Sequence, residues 1–360
     1  MDSLRPLSEP ENVLTGGQVE RIGQLAGGTQ TLSEAAEEVL RHLSEQDIRI
    51  DAVGHRVVHG GERFTEPVRV DATVLEGIRA LTELAPLHNP GGVAGIEAVQ
   101  RTSPNIQNVA VFDTSFHHNM PAVAALYGLP TELSKRMRLR RYGFHGISYR
   151  YVSDRLSTIQ TTCERLIICH LGNGASVCAI RNGQSIDTSM GFTPLEGLIM
   201  GSRSGDVDPG LILHLMRKEE MTLDQLDKLL NHESGLKGLS GRSADVRDLE
   251  QSADGGDDAS RVALECFAYR VRKYIGAYAA ALGGIGALAF TGGIGEHSAR
   301  IRTRICDGLE FLNLKLDEDR NQTATGKEPV DICTGSSGRI WIVPTDEERQ
   351  IARETFALLQ

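Results

Sequence analysis

The chain of 360 residues carries 38 Lys and Arg and 48 Asp and Glu side chains, which gives a formal net charge of −10. This acidic balance argues against general affinity for nucleic acid or for anionic membrane surfaces. The 6 cysteines form no C-x-x-C pair and the first residues lack the basic and apolar regions of a secretory signal, so we expect a cytoplasmic protein with no disulfide framework, zinc ribbon or membrane partner.

Hydrophobic periodicity predicts helices and strands that alternate along the chain. Helices are expected at 33–43, 73–84, 93–100, 211–218, 223–230, 262–282 and from Thr345 onward, and strands in VGHRVVHGG, at 109–112, in ALAF and in RIWIVP. Between them, LIICHL, ASVCAI and SIDTSM are separated by Gly-Asn turns and predict a three-stranded meander. The pattern is typical of the α/β class, with two domains that contain mixed sheets and divide near residue 150.

Two glycine-rich segments follow predicted strands. In HLGNGAS, Gly172 and Gly174 would let backbone N–H groups approach an anion, while Asn173 and Ser176 add hydrogen bonds. An ordinary Asn-Gly hairpin is the alternative interpretation. In FTGGIGEHS (290–298), a strand, a glycine loop and a helix have the order of a nucleotide cradle, although no Gly-Lys-Ser/Thr follows as in a Walker A motif.

Two arginines and two acidic residues have positions suited to phosphate and cation chemistry. Arg56 lies in the first predicted strand and Arg203 in the turn-rich segment GSRSGDVDP, where a planar guanidinium could bind phosphate oxygens. A solvated surface arginine is the alternative for each. Asp113 ends a strand and Glu347 lies in the first turn of the last helix, two places suited to a hard cation, although Glu347 could simply complement the helix dipole.

Two histidines lie among turn residues from which a side chain can reach an accessible site, His88 in APLHNP and His145 in RYGFHGIS. The basic run at 135–141 lacks interleaved aromatic residues. It is therefore interpreted as a solvated or interdomain helix face and not as a nucleic-acid site.

Taken together, these segments resemble the acetate kinase family of carboxylate kinases. The resemblance extends from GHRVVHGGE (54–62) to TDEERQIARET (345–355) and includes LAPLHNP, VAVFDTSFH, RRYGFHGISYRYVS, HLGNGAS, DTSMGFTPLEGLIMGSRSGDVDPG, SGLKGLSGRSADVR, RKYIGAYAA and FTGGIGE. It implies two duplicated actin-like (ribonuclease H-like) α/β domains with mixed sheets around a nucleotide cleft. Residues 1–149, completed by the helix 346–360, would form the first domain, and 150–345 the nucleotide-binding and dimerisation domain.

The resemblance also implies roles for particular residues. Arg56 and Arg203 would hold the phosphoryl group and the acetate carboxylate, His145 and Arg203 would stabilise the transition state, Asp113 would act in catalysis, and Glu347 would place the metal. The acetate site would consist of Arg56, Val58, Leu87, His88, Phe144 and Pro194. The nucleotide site would consist of His170, Leu171, Gly172, Asn173, Gly174, Asp245, Val246, Arg247, Gly292, Gly293, Ile294 and Gly295.

The implied activity is reversible transfer of a phosphoryl group from ATP to acetate, giving acetyl phosphate and ADP in a homodimer that needs Mg²⁺, for which Mn²⁺ can substitute. Propionate is the alternative substrate, because one methylene in a small pocket changes discrimination by only about 1–3 kcal/mol. The family normally opens with a strand of the form N-x-G-S-S-S-x-K, which MDSLRPLSEPEN does not contain. A non-catalytic nucleotide-binding homologue is therefore a second alternative.

Overall fold

The computed structural model describes residues 13–17, 19, 31–46, 48–85, 89–159, 164–334 and 338–360. The expected absence of a first strand falls on residues 1–12, which lie outside the described residues. Two compact units form, one from the residues up to Asp113 together with 348–360, and one from 114–347.

The α-helices in the described part of the chain are α1 (Leu32–Glu45), α2 (Ala72–Ala80), α3 (Asn89–Thr102), α4 (Ala122–Ala125), α5 (Thr131–Met137), α6 (Gly146–Ile159), α7 (Pro209–Lys218), α8 (Leu223–Lys228), α9 (Gly235–Ser240), α10 (Val246–Asp254), α11 (Asp258–Leu282), α12 (Gly292–His297), α13 (Ala299–Cys306), α14 (Glu318–Thr323) and α15 (Glu347–Leu359). The strands there are β1 (Ala52–Val57), β2 (Val68–Arg69), β3 (Gln107–Phe112), β4 (Arg165–Leu171), β5 (Ala175–Arg181), β6 (Gln184–Thr188), β7 (Ala287–Thr291), β8 (Val330–Asp331) and β9 (Arg339–Ile342). None of the helices described is long and apolar enough to span a bilayer.

The first unit contains a small mixed sheet in the order β1-β3-β2, with β1 parallel and β2 antiparallel to β3. Side chains of α2 and α3 pack with those of β1 and β3 in its core, where the rings of Phe64 and Phe112 stack with centroids 5.1 Å apart. The helix α15 covers β1 at Gly54, where an added Cβ would lie 2.5 Å from Cγ2 of Ile351. Such close approach of helix and strand requires a glycine.

The second unit contains a six-stranded mixed sheet in the order β6-β5-β4-β7-β9-β8. Its centre, β4-β7-β9, is parallel, and the flanking pairs are antiparallel. The strands β4, β5 and β7 are almost entirely buried, as their continuous apolar sequences require of strands covered on both faces. Helix α6 contributes Tyr149, Val152 and Leu156 to the core beside β4.

The predicted α/β class with two mixed sheets is confirmed, and so is the three-stranded meander, which forms β4, β5 and β6. The compact units divide after Asp113 and after Glu347, while the predicted domains divide at 149/150. The difference covers residues 114–149, which include α4, α5 and the start of α6, a helix that the predicted boundary cuts. Because the buried face of α6 packs on the large sheet, the whole helix lies in the second unit.

The buried His117 joins β6 to the residue that precedes His145. Its Nε2 donates to the carbonyl oxygen of Phe144 at 3.0 Å, and its Nδ1 lies 2.7 Å from Oγ of Ser185. A carbonyl oxygen only accepts, so the ring carries its proton on Nε2 and receives a hydrogen bond from Ser185 on Nδ1. Burial, with a smaller contribution from the nearby Arg141, lowers the pKa of His117 from 6.5 to about 4.

We predict that His117 makes the second unit sensitive to acid. The folded pKa lies below the ordinary value, so the unfolded chain binds the proton more readily, and stability falls as the pH drops from 6.5 to about 4. The loss amounts to about 3 kcal/mol across this window. His117→Gln should lower the free energy of unfolding at neutral pH but reduce its decline in acid. Urea unfolding at neutral pH and at the acid end of the window measures both effects.

Ser185→Ala is the matched control, because it removes the hydrogen bond to Nδ1 and keeps the imidazole. This variant should be less stable at neutral pH and still show the decline in acid. An acid decline in His117→Gln as large as that of the unchanged chain would contradict the assignment.

Candidate active site

His145 is held in a strained backbone conformation directly before α6. Its φ is +58°, a left-handed value that costs a non-glycine residue about 1–3 kcal/mol and that recurs at functional sites. The carbonyl of His145 accepts the N–H of Tyr149 at 3.0 Å, which begins the hydrogen-bonding pattern of the helix. This strained conformation agrees with the sequence prediction that His145 reaches a site.

The imidazole of His145 stacks on that of His170 at the end of β4, with ring centroids 4.2 Å apart and planes 25° from parallel. Each ring is held at Nδ1 by a serine. Oγ of Ser176 lies 2.8 Å from Nδ1 of His145, and Oγ of Ser148 lies 2.8 Å from Nδ1 of His170. Both rings therefore have a fixed orientation.

The turn between β4 and β5 brings these rings to an arginine. Two side-chain nitrogens lie next to Gly174. A Cβ added to this glycine would be 3.5 Å from Nε2 of His145 and 3.8 Å from Nη1 of Arg203. On the other arm of the turn, a Cβ on Gly172 would lie 4.0 Å from Nε2 of His170. Nitrogens of three cationic or donor side chains thus converge on one glycine turn, as an anion site needs.

Arg203 reaches this turn from a loop that packs closely against it. The N–H of Gly201 donates to the carbonyl of Asn173 at 3.0 Å, and a Cβ on Gly201 would lie 2.1 Å from Oδ1 of Asn173. Glycine is therefore required at this position. Burial lowers the pKa of the Arg203 guanidinium from its ordinary value, which shows that the unit holds this cation in a poorly solvated place where a bound anion would be stabilised.

A cavity of about 650 Å³ opens beside the same turn. Its size lies within the range of small-molecule sites. It is lined by Gly172, Asn173, Ala244, Asp245, Val246, Arg247, Glu250, Gly293, Ile294, His297 and Ser298. Seven of the residues proposed for the nucleotide are therefore together in one cavity. His170, Leu171, Gly174, Gly292 and Gly295 are not part of its lining as described. Four further residues line it that were not proposed individually for the nucleotide: Ala244, Glu250, and His297 and Ser298 at the end of the glycine-rich segment 290–298.

Asp245 and Arg247 form a rigid pair at the edge of this cavity. The guanidinium donates two hydrogen bonds to the carboxylate, at 3.0 and 2.6 Å. This contact lowers the pKa of Asp245 and raises that of Arg247. The guanidinium is thereby held flat and exposed, in a form that can stack on an aromatic ring.

The glycine loop predicted after β7 is wrong in one respect: Gly292 directly follows the strand and begins the six-residue helix α12. Its φ of +76° and its closeness to the carbonyl of Leu171 require glycine there. Oε1 of the buried Glu296 accepts the N–H of Gly292 at 2.8 Å and that of Thr345 at 3.0 Å. The first N–H group of the predicted cradle is thus bound by a carboxylate of the protein.

The structure describes some of the residues proposed for the acetate site. Phe144 is 2% exposed, and Pro194 is half-buried and accepts at 3.5 Å from Nη1 of Arg203. In the first unit, Val58 follows β1 and is half-buried. Leu87 and His88 lie outside the described residues.

Arg56 and Asp113 form a two-point ion pair within the first unit. Nε and Nη2 of Arg56 donate to the two oxygens of Asp113 at 3.1 and 2.6 Å. The carboxylate is buried, while the arginine side chain is 44% exposed. Asp113 therefore fixes the direction of the exposed guanidinium.

The described residues include no group of three or more His, Cys, Asp or Glu side chains that could hold a metal ion. A protein cage for Mg²⁺ is therefore not present in this part of the chain. Mg²⁺ bound through nucleotide phosphates needs only one or two carboxylates. Both oxygens of Asp113 accept from Arg56. The acidic residue proposed for the metal, Glu347, lies at the start of α15.

The chain shows extensive similarity to proteins of known type. The sequence pattern of the Acetokinase family matches residues 8–353. An acetate kinase of Chloroherpeton thalassium is 52% identical over 313 residues, which cover 85% of this chain and 75% of that protein. The crystal structure of Porphyromonas gingivalis acetate kinase is 41% identical with a TM-score of 0.86, covering 91% of this chain and 85% of that one.

A propionate kinase from Francisella tularensis is similar to the same degree, with 40% identity, a TM-score of 0.86 and the same coverage of both chains. The matched segment includes β4, β5, β7 and the loops that carry His145 and Arg203. Together with the geometry of the glycine turn and its cavity, these similarities show that the chain belongs to the Acetokinase family.

Proposed function

We propose that this chain transfers the γ-phosphoryl group of ATP to acetate, giving acetyl phosphate and ADP, and that the reaction is reversible. The observation that carries the proposal is the convergence of Nε2 of His145 and Nη1 of Arg203 on Gly174, beside a cavity of about 650 Å³. A donor pair for phosphate oxygens thus adjoins a space suited to a nucleoside.

In this mechanism a carboxylate oxygen of acetate attacks the γ-phosphorus in line and the bond to the ADP oxygen breaks. No general base is needed, because acetate is ionised at neutral pH. Charge spreads over the phosphoryl oxygens in the transition state, so catalysis depends on positioning and on donors held in place. Arg203 supplies charge and the planar fork, and His145 supplies a hydrogen bond.

Within the first unit, we propose that Asp113 orients Arg56 toward the phosphoryl group or the carboxylate of acetate, since its two oxygens hold the guanidinium at two points. Mg²⁺, or Mn²⁺ in its place, would be held by the nucleotide phosphates with Glu347 and would neutralise phosphate charge. The adenosine would occupy the cavity, with the flat guanidinium of Arg247 against the base.

We further propose a cytoplasmic location. The cysteines in the described residues, Cys169, Cys178, Cys266, Cys306 and Cys333, are free. Free thiols are typical of a reducing compartment.

Acetate is the proposed substrate, and propionate is the second candidate because a propionate kinase is similar to the same degree as an acetate kinase. We predict that kcat/KM falls from acetate to propionate to butyrate, by about 10–200-fold for a methylene that the pocket excludes. A hydroxamate assay with Mg²⁺ and ATP measures the three values. ATP hydrolysis without carboxylate is the control. A preference for propionate would assign the second candidate, and no transfer to any carboxylate while ATP still binds would identify a non-catalytic homologue.

Arg203→Ala should lower kcat by about 10³–10⁵, because an arginine that serves a transferring phosphoryl group has this effect. Arg203→Lys should restore little, since lysine lacks the planar fork. ATP affinity should change much less, because Arg203 is not among the residues that line the cavity. Steady-state kinetics and ATP titration measure these effects.

The matched control is Arg320→Ala, on α14, where the arginine pairs with Asp317 near the surface. Its kcat should equal that of the unchanged chain. A near-normal kcat for folded Arg203→Ala would remove Arg203 from the mechanism.

The second unit is also proposed to form a homodimer. Helix α7 has no buried residue and exposes Leu211, Leu213 and Met216. Helix α11 buries one face within the unit but leaves Tyr269 61% exposed. An apolar surface of this kind favours association with a second copy of the chain.

We predict that the chain sediments at micromolar concentration with twice the mass of one copy, and that Leu213→Glu shifts it toward the monomer. A charge placed in an apolar contact loses hydration without gaining a partner. Leu223→Glu, at an exposed leucine of α8, is the control and should remain dimeric. A monomer for the unchanged chain would contradict the proposal.

A further inference from the structure

We propose that Ser176 and Tyr149 are positioning residues that hold the proton of His145 on Nε2, so that this nitrogen is a hydrogen-bond donor toward the glycine turn. The inference rests on the proposed function for the role of that donor, but it concerns a property of the protein alone. The residues form a continuous chain. The hydroxyl of Tyr149 lies 2.5 Å from Oγ of Ser176, which lies 2.8 Å from Nδ1 of His145.

Burial of Tyr149 keeps its phenol protonated and therefore able to donate. The side chain has no exposed surface, and burial raises the pKa of its phenol well above the ordinary value. The hydroxyl therefore keeps its proton at neutral pH. That proton is available to Oγ of Ser176, which lies 2.5 Å away.

Ser176 then has one proton to donate and His145 is its second partner. A serine hydroxyl carries a single donor and two acceptor positions. With Tyr149 as the donor to Oγ, we assign the serine proton to Nδ1 of His145, 2.8 Å away, and a ring nitrogen that accepts cannot carry a proton. The neutral imidazole therefore carries its proton on Nε2.

This tautomer places a donor where the proposed chemistry needs one. Nε2 of His145 lies beside Gly174, close to the space that Nη1 of Arg203 also bounds. With the opposite tautomer, Nε2 would present a lone pair to the phosphoryl oxygens and repel them. The stacked ring of His170 and the fully buried Ser176 prevent the imidazole from turning over to use its other nitrogen.

His117 provides an internal reference for the same tautomer. Its Nε2 donates to the carbonyl of Phe144, and its Nδ1 faces Oγ of Ser185. A carbonyl oxygen cannot donate, so the position of this proton follows from geometry alone. The ¹⁵N signals of His117 thus mark where an imidazole with its proton on Nε2 should appear.

The test is ¹⁵N NMR of the full chain with labelled histidine at neutral pH, combined with kinetics. We expect the Nδ1 and Nε2 signals of His145 to match those of His117. In Ser176→Ala, the Nδ1 signal of His145 should move toward the protonated position as the two tautomers mix. Its kcat should fall roughly tenfold, less than the loss of about 10²–10³ on complete removal of a preorganised donor, because the donor tautomer is still partly populated. The KM for ATP should stay unchanged.

Two further variants keep the test decisive. Tyr149→Phe keeps the ring in the core, removes the hydroxyl, and should shift the His145 signals in the same direction even if Ser176→Ala does not fold. Ser185→Ala is the matched control and should shift the signals of His117 but not those of His145.

Two results would overturn the inference. One is a proton on Nδ1 of His145 in the unchanged chain. The other is His145 signals that stay unmoved in both Ser176→Ala and Tyr149→Phe. Because the tautomer is read without turnover, a chain that transfers no phosphoryl group would refute the proposed function and leave this inference standing.

Discussion

The turn that joins β4 to β5 is the constraint on which the site in the second unit depends. Its two glycines leave room on both arms, so that His145 and Arg203 approach Gly174 and the cavity opens at Gly172. The sheet fixes the conformation of this turn, since β4 and β5 are buried and paired along their whole length. A rigid hairpin thus supplies the precision that phosphoryl transfer needs from its donors.

Each unit holds a fixed arginine in a chain whose net charge is −10. In the second unit, Arg203 is held where burial lowers its pKa. In the first unit, Arg56 is fixed by the buried carboxylate of Asp113. Holding a cation in poorly solvated surroundings costs stability, and that cost is recovered when an anion binds. The net negative charge disfavours binding to extended polyanions.

The sequence predicted those features that depend on local pattern. The Gly-Asn turns gave the meander correctly, because turn chemistry and apolar runs act within a few residues. The loop predicted between β7 and the next helix is wrong, since the side chain of Glu296 binds the N–H of Gly292 and the helix begins directly after the strand. The role of Ser176 could not be predicted either. Its partners Tyr149 and His145 are 27 and 31 residues away, a contact that only the folded core creates.

The packing of α15 on β1 at Gly54 has a consequence for the order of synthesis. The second unit is continuous in sequence, from 114 to 347, whereas the first needs residues 348–360. About 290 residues separate β1 from α15, and at roughly 5–20 residues per second their synthesis takes on the order of 15–60 s. During this time the face of β1 at Gly54 is uncovered on the ribosome. The part of the chain that is made first is therefore completed last, after the large sheet has had time to fold.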